Sequence, residues 1–270
     1  LYIFILMLGL QKYIECKTGF QSTQFYLPTE RVVTNPERSD GFGAQFQTII
    51  IAVIYAELHN KTFVYSPFKK MEHNYDSARD YIEKKEWVIN FIGNFELNFG
   101  HARKLDISTL ITFFEANLHA CLTSASFQKI KNIFRANKNG SYFDNDYFNI
   151  AVHVRRPNAQ DNRLMGSDTP DDVYLKTIVA LRREYFSKNL IFHIYSQGNA
   201  SDFKKYEAQD TILHLNESLE DTFTGMVFAD VLVVAPSSLS YVAGWLSEGQ
   251  VYYVPFWHKP LPQWKSVESL

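Results

Sequence analysis

The second half of the chain alternates apolar segments with amphipathic ones, and this alternation restricts the possible folds more than any other feature. Apolar, β-branched segments with the character of buried strands lie at residues 148–154, 190–195, 211–215, 231–235 and 251–254. The segments between them predict helices over 169–187, 200–207, 218–228 and 238–247, the first with Thr169 as N-cap and Pro170 in its first turn. Regular strand–helix alternation is typical of a parallel, doubly wound sheet, so we predict an α/β fold.

The first half is more mixed but has the same character. Residues 44–60 are apolar on nearly every face and predict a buried helix, and Thr62–Tyr65 predict a short strand after it. Further helices are predicted over 80–91, from an N-cap at Asp106 through Leu118, and over 126–135. Residues 11–38 are polar, contain two prolines and predict an irregular lead-in.

We expect three parts along the chain. Residues 1–140 form an N-terminal half and residues 141–254 a C-terminal half, because Asn137–Ser141 is a polar turn between periodic segments. Residues 255–270 form a Pro- and Trp-containing tail that is predicted to pack back on the N-terminal half. The two halves would face each other across a cleft.

Composition excludes several classes of protein. The net charge of −2 argues against a nucleic-acid binder with a broad basic surface, so an anion site has to be local. Two cysteines give neither a disulfide framework nor a thiolate zinc cluster. The apolar run Leu1–Leu10 is too short to span a bilayer as a helix. We expect it to pack as a segment of the fold, which favours a cytoplasmic protein; a Golgi or ER lumen location fits if the run is the remnant of an anchor.

Two adjacent arginines leave the carboxyl end of a predicted strand. The strand at 148–152 continues into His153-Val154-Arg155-Arg156, and Pro157-Asn158 ends it. Ligands of open α/β sheets bind at that edge, and the fixed fork of guanidinium donors suits phosphate oxygens. The pair therefore predicts an anion site, with an ordinary surface or ion-paired Arg–Arg as the alternative.

Two other segments have the chemistry of phosphate contacts. In Asp40-Gly41-Phe42-Gly43-Ala44-Gln45, the glycines allow close approach of the backbone, and the helix that follows directs its N–H groups at a ligand. Ser237-Ser238-Leu239-Ser240 follows the strand at 231–235 and begins a helix, so its hydroxyl groups can bind an anion or simply cap the helix.

Together these three motifs resemble those of the superfamily of α1,6-, α1,2- and protein O-fucosyltransferases. The matching residues are the His-x-Arg-Arg motif at 153–156, the glycine loop at 40–46 and the Ser-Ser-x-Ser turn at 237–240, in the family's order. The chain departs from the family at Pro157-Asn158, where members carry Thr-Asp or Gly-Asp, and at Ala44, where the family often has Asn. The resemblance implies a GT-B-like fold of two Rossmann-like halves and a metal-independent, inverting glycosyltransferase that uses GDP-fucose.

The resemblance also implies roles for individual residues. Arg155 would stabilise the leaving diphosphate, and Asp40 leads the candidate bases, ahead of Glu72 and Asp161. Donor contacts would come from Gly41, Phe42, Gly43, Gln45, His153, Arg155, Arg156, Ser237, Ser238 and Ser240. Acceptor contacts would come from Glu72, His73, Asn74, Asp161 and Arg163, while Asp168 could contact either substrate.

Alternatives stay open at this point. Pro157-Asn158 makes a UDP-sugar donor such as UDP-xylose plausible, and an inactive relative could bind a glycan or a nucleotide without chemistry. Asp144-Asn145-Asp146 matches a short metal-binding pattern, but it precedes the central strand instead of following one, so we interpret it as a turn and expect no metal or other cofactor. The expected partners are a nucleotide sugar and a glycan acceptor, without nucleic acid or a membrane span; the oligomeric state is not predicted.

Overall fold

The computed structural model describes residues 31–74, 78–138, 142–144, 146–156 and 169–270. Its larger sheet contains six parallel strands in the order β6-β5-β4-β7-β8-β9. Their bounds are β4 Phe148–His153, β5 Leu190–Ser196, β6 Thr211–Leu215, β7 Val231–Val234, β8 Gln250–Tyr253 and β9 Lys265–Ser266. Between them lie α6 Asp171–Glu184, a 3₁₀-helix at Ala200–Tyr206, α7 Leu219–Phe228 and α8 Ser238–Leu246; a short 3₁₀-helix, Val267–Ser269, follows β9.

The first half forms a second, smaller parallel sheet with the order β2-β1-β3. Its strands are β1 Val32–Thr34, β2 Thr62–Phe63 and β3 Arg103–Lys104. Its helices are α1 Phe42–Leu58, α2 Tyr81–Ile89, α3 Ile107–Ala116, α4 Leu118–Thr123 and α5 Ala125–Ala136. The predicted α/β fold with parallel sheets is therefore confirmed.

Side chains of the larger sheet alternate between two hydrophobic clusters, as the period of two in a strand requires. On one face Ile150 and Val152 pack with α6. On the other face Ala151 and Leu232 join a cluster that also contains most of α1 and parts of α3, α5, α7 and α8. Because α1 is covered by helices from both halves, it is apolar all round, as its sequence predicts. The two sheets thus share one continuous core.

The structure corrects several local expectations in the second half. Residues 200–206 form a 3₁₀-helix because their buried side chains, Phe203 and Tyr206, are three residues apart, which matches three residues per turn. The N-cap of α6 is Pro170, not Thr169, and no side chain caps this helix.

Short elements account for the other corrections. Residues 32–34 of the expected irregular lead-in form β1, which is too short to show a period but is paired on both sides. The helix that begins at Asp106 ends at Ala116, since Asn117 leaves helical geometry before α4.

The tail contacts both halves. Its strand β9 pairs with β8, Leu261 and Trp264 join the hydrophobic cluster that contains α1, and Lys259 forms a 4.0 Å ion pair with Glu115 of the first half. Leu1–Leu10 and the end of the predicted Asn137–Ser141 turn lie outside the described residues. Within the described ranges, the model contains no helix with the length and apolarity needed to cross a bilayer.

Candidate functional site

The predicted anion motifs meet at one edge of the larger sheet. From β4 the chain continues to β5 and β6 on one side of the sheet, whereas β7 and β8 lie on the other side. The boundary between β4 and β7 is therefore the topological switch point, the place where open α/β sheets bind ligands. Arg155 and Arg156 follow β4, and Ser237 and Ser238 follow β7, so the two motifs lie at this switch point.

His153, the last residue of β4, is enclosed in the sheet. Its side chain is buried and its Nδ1 has no hydrogen-bond partner among the described residues. Burial, together with the nearby charge of Arg155, lowers the pKa of His153 to about 3. The imidazole is therefore neutral at physiological pH, and Arg155, half-buried at the strand end, supplies the positive charge.

Arg156 is held by an ion pair with Asp171 at the start of α6. The Asp171 carboxylate also accepts hydrogen bonds from Tyr206 and pairs with Lys205, and Arg156 lies 5.3 Å from the Phe203 ring centroid. Partial burial opposes ionisation, but the three donors lower the pKa of Asp171 to about 2. The structural ion pair that the sequence allowed for Arg156 is present, and it joins the residues after β4 to the start of α6.

The three serines of the turn after β7 have different environments. Ser237 is the N-cap of α8 and accepts a 3.3 Å hydrogen bond from the N–H of Leu239. Ser240 is fully buried and its hydroxyl donates to the Ala235 carbonyl at 3.4 Å, so it stabilises the turn. Ser238 is half-buried, and its Oγ lies 3.4 Å from Nε2 of His258. Ser238 is the serine with an accessible hydroxyl.

The glycine loop lies against this turn. A Cβ on Gly43 would be 2.4 Å from the Leu239 nitrogen, so the glycine allows close contact between the first turns of α1 and α8. Neither first turn contains an acidic residue, and the N-cap of α1, Gly41, provides no side-chain cap. The positive ends of two helix dipoles therefore meet beside the switch point, an arrangement that favours an anion.

The side chains of Phe42 and Gln45 make contacts inside the protein that stabilise the glycine loop. The Phe42 ring is buried against Phe46, Phe68 and Phe223, so only its backbone can face a ligand. The Gln45 amide nitrogen donates to the carbonyl oxygens of Asp40 at 2.6 Å and Lys70 at 3.0 Å. Gln45 thereby joins the glycine loop to the polar segment 69–74.

Asp40 is half-exposed at the mouth of the glycine loop. Its carboxylate accepts two hydrogen bonds from the guanidinium of Arg38, one of them 2.9 Å between Nε and Oδ1. This two-point pairing fixes the orientation of the carboxylate beside the glycine loop.

The segment 69–74 brings two of the predicted acceptor residues to the glycine loop. The N–H of Glu72 donates to the Asp40 carbonyl at 3.4 Å, and the His73 ring would lie 3.1 Å from a Cβ on Gly41. Asn74 instead accepts from the N–H of Ala78 at 2.9 Å and donates to the Ala78 carbonyl, so its side chain is engaged by the backbone of its own segment. Asp161, Arg163 and Asp168 lie outside the described residues.

The metal-like pattern has the geometry of a turn where it is described. Asp144 accepts from the N–H of Asp146 at 3.0 Å, as an Asx-turn does, and Asn145 is outside the described residues. Across the described part of the chain, no three His, Cys, Asp or Glu side chains are grouped so that they could hold a metal ion.

Sequence reasoning missed His258, which the tail places beside Ser238. Strand β8 is the neighbour of β7, and its chain continues past Tyr253 along the same sheet edge. The sequence predicted only that residues 255–270 pack on the rest of the protein, so it gave no reason to single out this histidine. Strand order could have revealed it, because the residues that follow the three neighbouring parallel strands β4, β7 and β8 lie at the same edge of the sheet.

Comparisons with known proteins return solved structures only. No protein-family model matches the chain, and no curated protein sequence matches it. Fucosyltransferase NodZ from Bradyrhizobium is 11% identical, with 80% of this chain and 93% of that chain covered and a TM-score of 0.42. E. coli heptosyltransferase WaaC with ADP-2-deoxy-2-fluoro heptose is 12% identical, with 87% and 92% covered and a TM-score of 0.44. POFUT1 in complex with GDP is 10% identical, with 85% and 100% covered and a TM-score of 0.42.

Proposed function

We propose that this chain is a glycosyltransferase of the GT-B type that transfers a sugar from a nucleoside diphosphate donor to a glycan hydroxyl, with inversion and without a metal. GDP-fucose is the donor that the three sequence motifs favour. In this proposal the C-terminal half holds the nucleotide sugar. The N-terminal half contributes the glycine loop, the acceptor contacts of segment 69–74 and the base.

The observation that carries the proposal is the convergence of Arg155, Ser238 and two helix N-termini at the switch point. A diphosphate needs a fixed positive charge and hydroxyl or N–H donors near the carboxyl ends of the strands, and Arg155, Ser238 and the two helix N-termini supply these groups. A protein that bound only a neutral glycan would not need such a site.

The proposed chemistry assigns one role to each side of the switch point. Arg155 stabilises the charge that develops on the departing diphosphate, and Ser238 contacts the β-phosphate from the other side. Asp40, held in place by Arg38, accepts the proton of the acceptor hydroxyl as that oxygen attacks the anomeric carbon. Attack opposite to the leaving group inverts the anomeric configuration. Gln45 positions the glycine loop, and Arg156 joins the end of β4 to the start of α6.

The test is the thermal stability of the purified protein with GDP, UDP, GDP-fucose and UDP-sugars, each with and without EDTA. A ligand that binds only the folded protein raises the free energy of unfolding by about 3–4 kcal/mol at 100 to 1,000 times Kd. We expect stabilisation by GDP species that EDTA does not remove. Stabilisation by neither nucleotide would contradict the proposal.

Two other results would change the proposed donor or the proposed catalytic activity. Selective stabilisation by UDP species keeps the site but replaces the donor with a UDP-sugar, for example in a xylosyltransferase. Nucleotide binding without donor hydrolysis or transfer to any glycan acceptor would indicate an inactive binding module. The anomeric configuration of a transferred sugar, read by NMR, tests inversion directly.

A further inference from the structure

His258 shares the sheet edge that carries the proposed donor site. The three neighbouring strands β4, β7 and β8 all run in the same direction, so the residues that follow them emerge together. Arg155 follows β4, Ser238 follows β7, and His258 follows β8. Nothing in the proposed chemistry so far uses the third of these residues.

The position of His258 is fixed by several contacts. Its ring stacks on Tyr241 with centroids 4.5 Å apart and an angle of 18° between the planes. Tyr253 donates its hydroxyl hydrogen to the His258 carbonyl, and Tyr241 donates to the carbonyl of Lys259 at 2.6 Å. A backbone and ring held in this way keep Nε2 near the Ser238 hydroxyl without help from a ligand.

The imidazole is neutral in this environment. Burial lowers the pKa of His258, and the Glu115 carboxylate only partly opposes that effect. Glu115 itself is paired with Lys259 at 4.0 Å, so the charges nearest the ring largely balance. A neutral imidazole carries its proton on one nitrogen only, and the tautomer decides which partner donates in the contact with Ser238.

We propose that His258 is a positioning residue that donates its Nε2–H to Ser238 Oγ and thereby directs the Ser238 hydroxyl hydrogen at the β-phosphate of the donor. The inference rests on the proposed function, because it needs a phosphate at the switch point. In the opposite tautomer Ser238 would donate to the ring and present only oxygen lone pairs to an anion. The Nε2–H tautomer therefore makes Ser238 a donor for an oxyanion.

Two substitutions separate this hydrogen bond from the packing of the ring. His258→Phe keeps an aromatic ring on Tyr241 but removes the donor, whereas His258→Gln places an amide N–H close to the position of Nε2. Both are compared with Ser238→Ala, with the double variants, and with His119→Phe as a control at an exposed histidine. The readout is the dissociation constant of GDP, or of UDP if UDP is the nucleotide that stabilises the wild type, measured by calorimetry.

We expect His258→Phe to weaken nucleotide binding about tenfold, which corresponds to one hydrogen bond to a charged group. His258→Gln should stay within about threefold of the wild type on the same grounds, and His258→Phe should have no further effect in the Ser238→Ala background. Equal losses in Phe and Gln variants, or full additivity with Ser238→Ala, would overturn the inference. If Arg155→Ala weakens binding but His258→Phe does not, only the His258 inference fails; if the wild type binds no nucleotide, the proposed function fails.

Discussion

Gly43 of α1 touches the backbone of Leu239 in α8, so that a Cβ at residue 43 would lie 2.4 Å from the Leu239 nitrogen. The same Cβ would be 2.5 Å from the Ser238 carbonyl carbon. These are backbone atoms, which cannot rotate away as a side chain can. The glycine loop of the first half and the serine turn of the second half are therefore in direct contact, and this contact sets the distance between the two helix N-termini.

Gly43→Ala should consequently separate α1 from α8. We expect a loss of about 2–3 kcal/mol, in the range for overpacked sites, and a Tm about 5–10 °C lower. Nucleotide-induced stabilisation should fall as well, because both helix N-termini move. The measurement is thermal unfolding with and without GDP.

Gly41→Ala is the matched comparison. Its Cβ would meet the His73 ring at 3.1 Å, and a side chain can shift, so the decrease in Tm should be clearly smaller. Equal effects of the two substitutions would show that the α1–α8 contact is looser than the structure indicates.

Substitutions of the two arginines should have different effects: loss of Arg155 should impair ligand binding and turnover, and loss of Arg156 should mainly lower stability. Arg155→Ala is expected to remove nucleotide-induced stabilisation and to lower turnover by about 10²–10³, the range for loss of one group that stabilises developing charge. Its Tm without ligand should change little.

Arg156→Met should have the opposite profile. It removes one partner of Asp171, and a hydrogen bond to a charged group contributes about 2 kcal/mol, so Tm should decrease while part of the ligand effect remains. Thermal unfolding and turnover of both variants test the contrast. Unchanged turnover in Arg155→Ala would remove this residue from the site.

How much of this could be predicted from the sequence depends on the range of the interactions. The strand–helix alternation from β4 to β8 reflects local periodicity, so the parallel doubly wound sheet was predicted. The resemblance assigned Arg155 and Ser238 to one donor site, and in the structure they follow neighbouring parallel strands, which share an edge. Strand β1 has three residues and exists because β2 and β3 pair with it, which no local pattern encodes.

Contacts between distant segments of the chain are also what the sequence could not reveal about the site. Nothing in the residues around Gly43 reveals that its close approach is to Ser238 and Leu239, almost 200 residues later. The two hydrogen bonds of the Gln45 amide and the stacking of His258 on Tyr241 also depend on tertiary contacts. The motifs indicated which segments could bind a ligand, whereas the contacts of each side chain within them became visible only in the folded structure.

A buried ion pair joins the two halves away from the site. Lys85 of α2 and Glu220 of α7 are 2.6 Å apart, and only 3% of the Lys85 side chain is exposed. Removing one partner leaves a buried charge without compensation, so Lys85→Met should lower the free energy of unfolding by about 3–5 kcal/mol. Lys84→Met is the control, because Lys84 pairs with Asp80 at the exposed surface. Urea unfolding of the two variants should differ strongly, and similar midpoints would contradict a buried pair.

Acid should destabilise the protein through its buried histidines. Burial, with a contribution from His214, lowers the pKa of His193 to about 4, and the pKa of His153 is about 3. In the unfolded chain both would titrate near 6.5, so between about pH 6.5 and pH 4 the unfolded state binds more protons. Stability is then fully present above pH 6.5 and decreases as the pH falls through this window.

The His193 contribution can be isolated by substitution. Its ring bridges Asn149 Oδ1 at 3.0 Å and His214 Nε2 at 2.9 Å, so His193→Gln keeps a polar group but removes the titration. At about 1.4 kcal/mol per pKa unit, the loss between pH 7 and pH 4 should be about 3 kcal/mol smaller in this variant than in the wild type. Urea midpoints at pH 7, 6, 5 and 4 provide the measurement, with His119→Gln as an exposed control that should retain the wild-type slope. A His193→Gln slope equal to that of the wild type would mean that acid acts elsewhere in the protein.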